Sequence, residues 1–153
     1  VKPHGALYNM AARDAGIAVA IATAVRDFDI ELVLVGLAMS ELPRAGRRAG
    51  LEVAHEAFVD RRYENDGSLT PRSREGALIT DIDAAIEQAL DIVVRGRITS
   101  RTGSTIEVRA DTLCVHGDRA QAAELARRLR TALDAAGISV KALREKRPAS
   151  AQA

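Results

Sequence analysis

The run LVLVGL at residues 32–37 constrains this chain more than any other feature. Consecutive apolar residues leave no side of a strand for solvent, so a strand here must be covered on both faces, as in parallel sheets. Parallel neighbours need crossover segments of a dozen or more residues, usually helical, and the flanking sequence supplies them. Upstream, Met10, Ile17, Ile21, Val25 and Phe28 fall near one helical face and predict a helix over 10–28. Downstream, Ser40 is placed to cap a short helix ending near Gly50. Leu51 and Val53 then alternate with Glu52 and Ala54 as a second strand.

The stretch VDRRYENDGSLTPRSREG at 59–76 is polar and rich in turn formers, which predicts a long loop with a tight turn at Asp66-Gly67. Loops of this length in a compact domain are usually functional or disordered. Thr80 or Asp81 can cap a helix whose inward face carries Ile82, Ile86, Ala89, Leu90 and Val93. RITSRTGSTIEVRA reads as a hairpin turning near Gly103. TLCV is a short buried strand ending at His116. A helix follows from about Arg119 to Ala136, with Leu125, Leu129, Ala132, Leu133 and Ala136 inward, Arg127, Arg128 and Arg130 in solvent, and Gly137 at its end. ISVKAL alternates like a last strand, and the charged, then small and polar, tail at 144–153 is predicted to be disordered.

Composition excludes several function classes. A net charge of +1 gives no electrostatic reason to expect nucleic acid or an anionic membrane as partner. Aromatics at 3%, with no Trp, do not make a base-stacking surface. No apolar run approaches membrane-spanning length, and no signal-peptide pattern is visible. The single Cys114 cannot form an internal disulfide, in keeping with a reducing cytosol. It reads as a small buried hydrophobe. The chain begins at Val1, inside what reads as the end of a strand, as expected of a fragment, a processed product, or a chain whose earlier part is missing.

Strand–helix alternation predicts an α/β fold, in which ligands gather at the carboxyl ends of the strands. Two of the three histidines, His4 and His116, are each followed by glycine at such a junction. Glycine lets the backbone turn sharply or approach a ligand, and imidazole transfers protons near neutral pH. Both histidines are therefore expected at one rim of the sheet, facing a shared cleft that the 60–74 loop borders.

VKPHGALYNMAARD, FVDRRYENDGSLTPR and LCVHGD resemble, in sequence and in order, the LamB/YcsF family, and the likeness runs from Val1 to about Val140. The resemblance implies a cytoplasmic protein with a deformed β/α barrel of the glycoside hydrolase and deacetylase type. Such barrels take roughly 250 residues. The family's N-terminal part, with an acidic DLN-type strand end and a CGFHAGD-type motif, has no counterpart here. Residues 1–143 are thus expected to be the C-terminal part of a single barrel domain, with an unpaired edge that favours self-association or a complementary chain.

The resemblance further implies a 5-oxoprolinase, an enzyme opening the lactam of 5-oxoproline to L-glutamate while ATP becomes ADP and phosphate, with ATP and Mg²⁺ as cofactors and subunits B and C as partners. No G-x-x-x-x-G-K-[ST] occurs, so an ATP site here is not a P-loop. The matching motifs assign catalysis to Lys2, His4, His116 and Asp118, and Glu56, near the end of the second strand, is a further catalytic candidate by position. They assign substrate or phosphate binding to Asp60, Arg61, Arg72, Tyr8 and Asn9, and no residue to a resident metal. Several of these have a plainer reading. Asp118 equally suits an N-cap, Tyr8 and Asn9 suit packing and a helix start, and a carboxylate at 56 or 60 suits either a base or an Mg²⁺ ligand. His55 reads as structural. Two other function classes stay open: a metal-dependent sugar or amide deacetylase using His4, His116 and a carboxylate, and a non-catalytic fragment that docks to partner subunits. The isolated chain is expected to show little activity.

Overall fold

The apolar run forms β1, Val33–Leu37, and it is covered on both sides as its composition requires. In the computed structural model, which describes residues 1–118 and 121–143, β1 pairs in parallel with β2, Glu52–Phe58. β2 in turn pairs in parallel with a short strand of residues Thr112–Cys114, which is β5 in chain order. The register sets Glu56 opposite both Leu37 and Thr112, and Phe58 opposite Cys114. Residue 1 extends the sheet beyond β1. The Val1 amino group donates to the Val33 carbonyl at 2.6 Å, and the Val35 N–H donates to the Val1 carbonyl at 2.8 Å, the pattern of a parallel ladder. The first residues therefore leave the sheet at the same rim as β1, β2 and β5. The result is a mixed α/β fold with a parallel sheet and helices.

The predicted helix over 10–28 is two helices, α1 at Gly5–Arg13 and α2 at Ala15–Phe28. Asp14 separates them. Its backbone is extended, and its Oδ1 accepts from the Ile17 N–H at 2.9 Å, so it caps α2 instead of continuing α1. The inward face also differs from the prediction. Of the predicted face, Val25 is buried and Ile17 and Ile21 pack half-buried against the core, but Met10 and Phe28 are exposed and Ala11, Ala18 and Ala22 are buried instead. An alanine face lets the helix backbones approach closely, which large side chains would prevent.

α3, Glu41–Arg48, follows Ser40 as predicted, but the Ser40 hydroxyl donates back to the Leu37 carbonyl at 2.7 Å and makes no cap bond. α3 lies directly on the sheet at Gly46. A Cβ there would stand 2.7 Å from Val53 Cγ1 and 2.9 Å from Leu34 Cδ2, so only glycine permits this approach.

Residues 59–81 form an ordered loop. Antiparallel bridges link Arg61 to Leu78 and Tyr63 to Leu69. The Gly67 N–H donates to the Glu64 carbonyl at 3.0 Å, giving the expected tight turn, with Gly67 at φ +79°. α4, Ile82–Arg95, is capped by Asp81, whose Oδ1 accepts from the Ala84 N–H at 2.8 Å. Its fully buried positions are Ala85, Ala89 and Ile92, flanked by the half-buried Ile82, Ile86, Leu90 and Val93. β3, Arg97–Thr99, and β4, Thr105–Glu107, form the predicted hairpin, with Gly103 at φ +87° in its turn.

α5, Ala122–Ala135, buries Leu125, Leu129 and Leu133 and exposes the three arginines as predicted. Ala136 is exposed, because the helix has ended and Gly137, at φ +76°, turns the chain away. ISVKAL is not a strand: the Ile138 N–H caps α5 by donating to the Leu133 carbonyl at 2.9 Å, and none of the described strands pairs with 138–143. Residues 119–120, where that helix was predicted to start, and the tail at 144–153 lie outside the described residues. No described helix is long and apolar enough to cross a membrane.

Gly46→Ala should lower stability by about 1–3 kcal/mol through overpacking against Leu34 and Val53. A thermal melt unchanged from the parent protein would show that α3 can lift from the sheet without cost.

Candidate active site

A cleft of about 780 Å³ opens at the carboxyl ends of the strands. Lys2, His4, Tyr8, Arg61, Arg72 and His116 all line it. The two His-Gly junctions therefore share one rim and one cleft, and the 60–74 loop borders it through Arg61, Leu69, Pro71 and Arg72.

The floor follows from strand alternation. Glu56 and Phe58 lie two residues apart in β2, and Asp60 continues the same spacing past the strand end, so all three present side chains to one cluster. Glu56 is 4% exposed, and both its oxygens are engaged. Oε1 accepts from Lys2 Nζ at 2.7 Å, and Oε2 accepts from the Tyr8 hydroxyl at 2.8 Å. Burial and the Glu56 charge push the Tyr8 hydroxyl far above its usual pKa, so it remains a donor at neutral pH. Lys2 is raised as well: burial acts against its charge, but the hydrogen bond and charge of Glu56 outweigh it.

Asp60 is fully buried. His116 Nδ1 lies 2.9 Å from Asp60 Oδ1 and 3.1 Å from Oδ2, and the His116 N–H donates to Oδ2 at 3.4 Å. A carboxylate accepts only, so Nδ1 carries the proton in this pair, and in the neutral ring the lone pair then falls on Nε2, on the far side. The imidazole stacks on Phe58, with centroids 5.4 Å apart and an interplanar angle of 27°.

The other predicted residues sort themselves around this core. Arg61 is buried; its Nη2 donates to the Thr70 carbonyl at 2.6 Å, and its Nε has no partner. Burial and the neighbouring Arg72 push Arg61 below its usual pKa. Arg72 and Asp118 form an exposed ion pair at 3.2 Å, which holds the Asp118 carboxyl below its usual range. Asp118 is not the cap of α5, whose N-cap is Gln121, because the helix starts later than the sequence pattern predicts. His4 caps α1 by position only, without a side-chain bond. The exposed Asn9 donates to the Gly5 carbonyl at 3.1 Å within its own helix. His55 lies away from the cleft lining, against Arg47 and with its N–H on Asp111. Among the described residues, no three His, Cys, Asp or Glu side chains converge as a metal site.

Sequence reasoning missed three supporting residues. Phe58 is the platform under His116. Tyr63, 1% exposed, accepts from the Phe58 N–H at 2.7 Å through its hydroxyl oxygen. Gln88, on α4, brings its side-chain amide to the carbonyls of Phe58, Val59 and Arg61 at 2.9, 3.2 and 3.0 Å, satisfying backbone that leaves the sheet. The continued alternation of Glu56, Phe58 and Asp60 was the available signal for the first. Nothing in the local pattern marks the other two.

Fold and site together define an α/β protein with a cleft at the carboxyl ends of a parallel sheet, holding an Asp–His pair beside a lysine ammonium. The LamB/YcsF family profile matches residues 1–148, and the chain belongs to that family. It is 59% identical over 143 residues to the 5-oxoprolinase A subunit of Methylococcus capsulatus, covering 94% of this chain and 55% of that protein. It is 52% identical over 147 residues to the 5-oxoprolinase A subunit of Bacillus subtilis, covering 96% and 57%. The crystal structure of a lactam utilization protein from Thermus thermophilus is similar with a TM-score of 0.84 and 47% identity, over 94% of this chain and 57% of that one. The chain thus spans little more than half the length of these relatives.

Cys114 Sγ lies 3.6 Å from Lys2 Nζ at the cleft wall. Burial and Glu56 raise the thiol above its usual value, against the opposing pull of Lys2. Alkylation by iodoacetamide should therefore be slow at pH 7.5 and climb only above about pH 9. As the sole cysteine of the chain it gives a clean readout. A rate plateau near pH 7 would show a thiolate already formed beside Lys2.

Proposed function

We propose that this chain carries the lactam-opening site of a 5-oxoprolinase, hydrolysing 5-oxoproline to L-glutamate with ATP turnover as part of a cytoplasmic multi-subunit enzyme that includes subunits B and C. The observation that carries the reading is the pair of buried Asp60 and half-buried His116, facing a cleft with the Lys2 ammonium. The names of the similar proteins supply the substrate and the subunit organisation. We further read the parallel sheet as an arc of a deformed β/α barrel, supported by its parallel strand pairing and by the likeness to just over half of the Thermus protein.

In this reading His116 Nε2 accepts a proton from the attacking water. Asp60 holds the ring in the required tautomer and stabilises the imidazolium that forms. Lys2 holds an anionic group of the substrate or the nucleotide. Phe58 and the cleft wall keep the imidazole aligned and exclude water from its face. The residues present fit a polyanion. Lys2, Arg61 and Arg72 line one cleft, and the buried Arg61 Nε lacks a partner. These three would hold the phosphates of ATP, and Mg²⁺ would enter on the nucleotide, because Glu56 and Asp60 are taken by Lys2, Tyr8 and His116. When bound, ATP supplies a phosphoryl group that makes the lactam carbon a better electrophile. His4, exposed at the cleft mouth, is placed to contact the substrate.

The test is glutamate release from 5-oxoproline with ATP, measured on the full-length protein together with its partner subunits. His116→Ala should lower kcat by about 10²–10⁴-fold, the usual value of a positioned acid–base group. Asp60→Asn, which disturbs the tautomer, should cost at least tenfold, and Lys2→Ala should also reduce turnover. His55→Ala, away from the cleft, should change turnover less than twofold. Equal effects of His116→Ala and His55→Ala would sink the site assignment.

A further inference from the structure

The proton transfer assigned to His116 leaves unused a buried carboxylate placed directly beneath the cleft. Glu56 sits in β2, 4% exposed, and lies outside the cleft lining. Its two oxygens are divided between Lys2 Nζ and the Tyr8 hydroxyl. A carboxylate so engaged is a poor proton acceptor for a substrate that it does not face. Its geometry serves a different purpose.

We propose that Glu56 and Tyr8 are positioning residues that hold the Lys2 ammonium as a fixed anchor for an anionic substrate group, a carboxylate or a phosphoryl oxygen, and that Phe58 spaces this anchor from His116. The proposal rests on the lactam-opening reading of the cleft.

Lysine is a flexible side chain with a compact charge, and left alone it would sweep a wide volume. Here it is constrained from three sides. Glu56 holds one N–H at 2.7 Å. The Tyr8 and Phe58 rings each lie 5.9 Å from Nζ, within cation–π range. Tyr8 packs edge-on against Phe58 with centroids 5.6 Å apart, and Phe58 stacks on His116 at 5.4 Å. One ring thus touches the holder of the cation and the base itself. The ammonium has three donors; Glu56 takes one and the Cys114 sulfur, at 3.6 Å, a weaker second, and with the side chain 27% exposed one donor remains for a ligand. Burial works against the ammonium charge, and the hydrogen bond and charge of Glu56, with a smaller contribution from Cys114, together more than offset it.

The experiment uses the full-length protein, alone for the titration and assembled with its partner subunits for kinetics. Lysine ¹³Cε–H signals are followed by NMR across pH, the Lys2 peak being assigned by its loss in Lys2→Met. Glu56→Gln keeps the shape and removes the charge, and should move the Lys2 midpoint down. A Lys2 midpoint unchanged in Glu56→Gln overturns the proposal whether or not the protein opens 5-oxoproline, which keeps this test separate from that of the reaction. Tyr8→Phe keeps the ring and frees Oε2. In the assembled enzyme it should raise one KM by about fivefold or more with kcat changed by less than about twofold, the sign of a lost binding geometry. A rise in the KM for 5-oxoproline identifies a carboxylate anchor, and a rise in the KM for ATP a phosphoryl anchor. Neither KM rising, or kcat falling alone in Glu56→Gln with loss of one limb of its pH profile, marks Glu56 as a proton carrier and rejects the positioning role.

Discussion

Two carboxylates buried at the carboxyl end of one strand set the terms for this structure. Glu56 and Asp60 are 4% and 0% exposed. An unmatched charge in such a place is costly, and removing one partner of a buried pair typically costs about 3–5 kcal/mol. The fold therefore has to bring partners to β2 from far along the chain. Lys2 and Tyr8 come from the opening segment and α1, fifty-four and forty-eight residues away. His116 comes from the exit of β5, fifty-six residues on. The Val1 ladder bonds and the β2–β5 pairing are the backbone means by which these partners arrive in register.

Having gathered these groups, the fold must also satisfy the backbone that carries them. Asp60 lies beyond the last ladder pair of β2, where a strand normally loses its hydrogen bonds. Gln88 covers the carbonyls there, Tyr63 takes the Phe58 N–H, and the Val59 N–H reaches the Cys114 carbonyl at 3.2 Å. The loop after β2 is consequently built as a bracket. Its bridges, the buried Tyr63 and Leu69, and the Arg13–Ser68 hydrogen bond at 3.0 Å tie it to the same cluster and to α1. Gly67 matters for the same reason: a Cβ there would stand 2.8 Å from Met39 Cε, where the loop crosses the end of β1.

Much of this was legible because it depends on local pattern. LVLVGL marks a doubly covered strand, Gly103 and Gly137 mark their turns, Asp81 marks a cap, and the His-Gly pairs mark one rim. What was not legible depends on partners distant in sequence. Asp14 breaks a helix whose apolar spacing runs on without pause, because a cap bond to Ile17 competes with one more helical turn. ISVKAL has strand alternation, but alternation makes a strand only where a ladder partner stands beside it. The candidate site shows the same division. Motif likeness finds Lys2, Asp60, Arg61 and His116, but it says nothing of which carboxylate faces which cation. Gln88 and Tyr63 act through contacts that no spacing in the sequence encodes.

The pairing of those carboxylates gives two acids of one strand different chemical characters. Glu56 meets a cation and a phenol, so its charge is balanced where it stands and it fixes a position. Asp60 meets an imidazole, so it sets the tautomer of that ring and orients its free nitrogen. Phe58 stands between them in the alternation, stacked on His116 on one side and edge-on to Tyr8 on the other. Environment, not residue type, divides the roles of paired carboxylates. Here the environment is set by period-two geometry alone. Positions 56, 58 and 60 of an extended chain must share a face, and a ring at the middle position must separate its neighbours. A cleft with an ammonium on one side and an imidazole on the other follows from that spacing once the opening segment, α1 and β5 have supplied their partners.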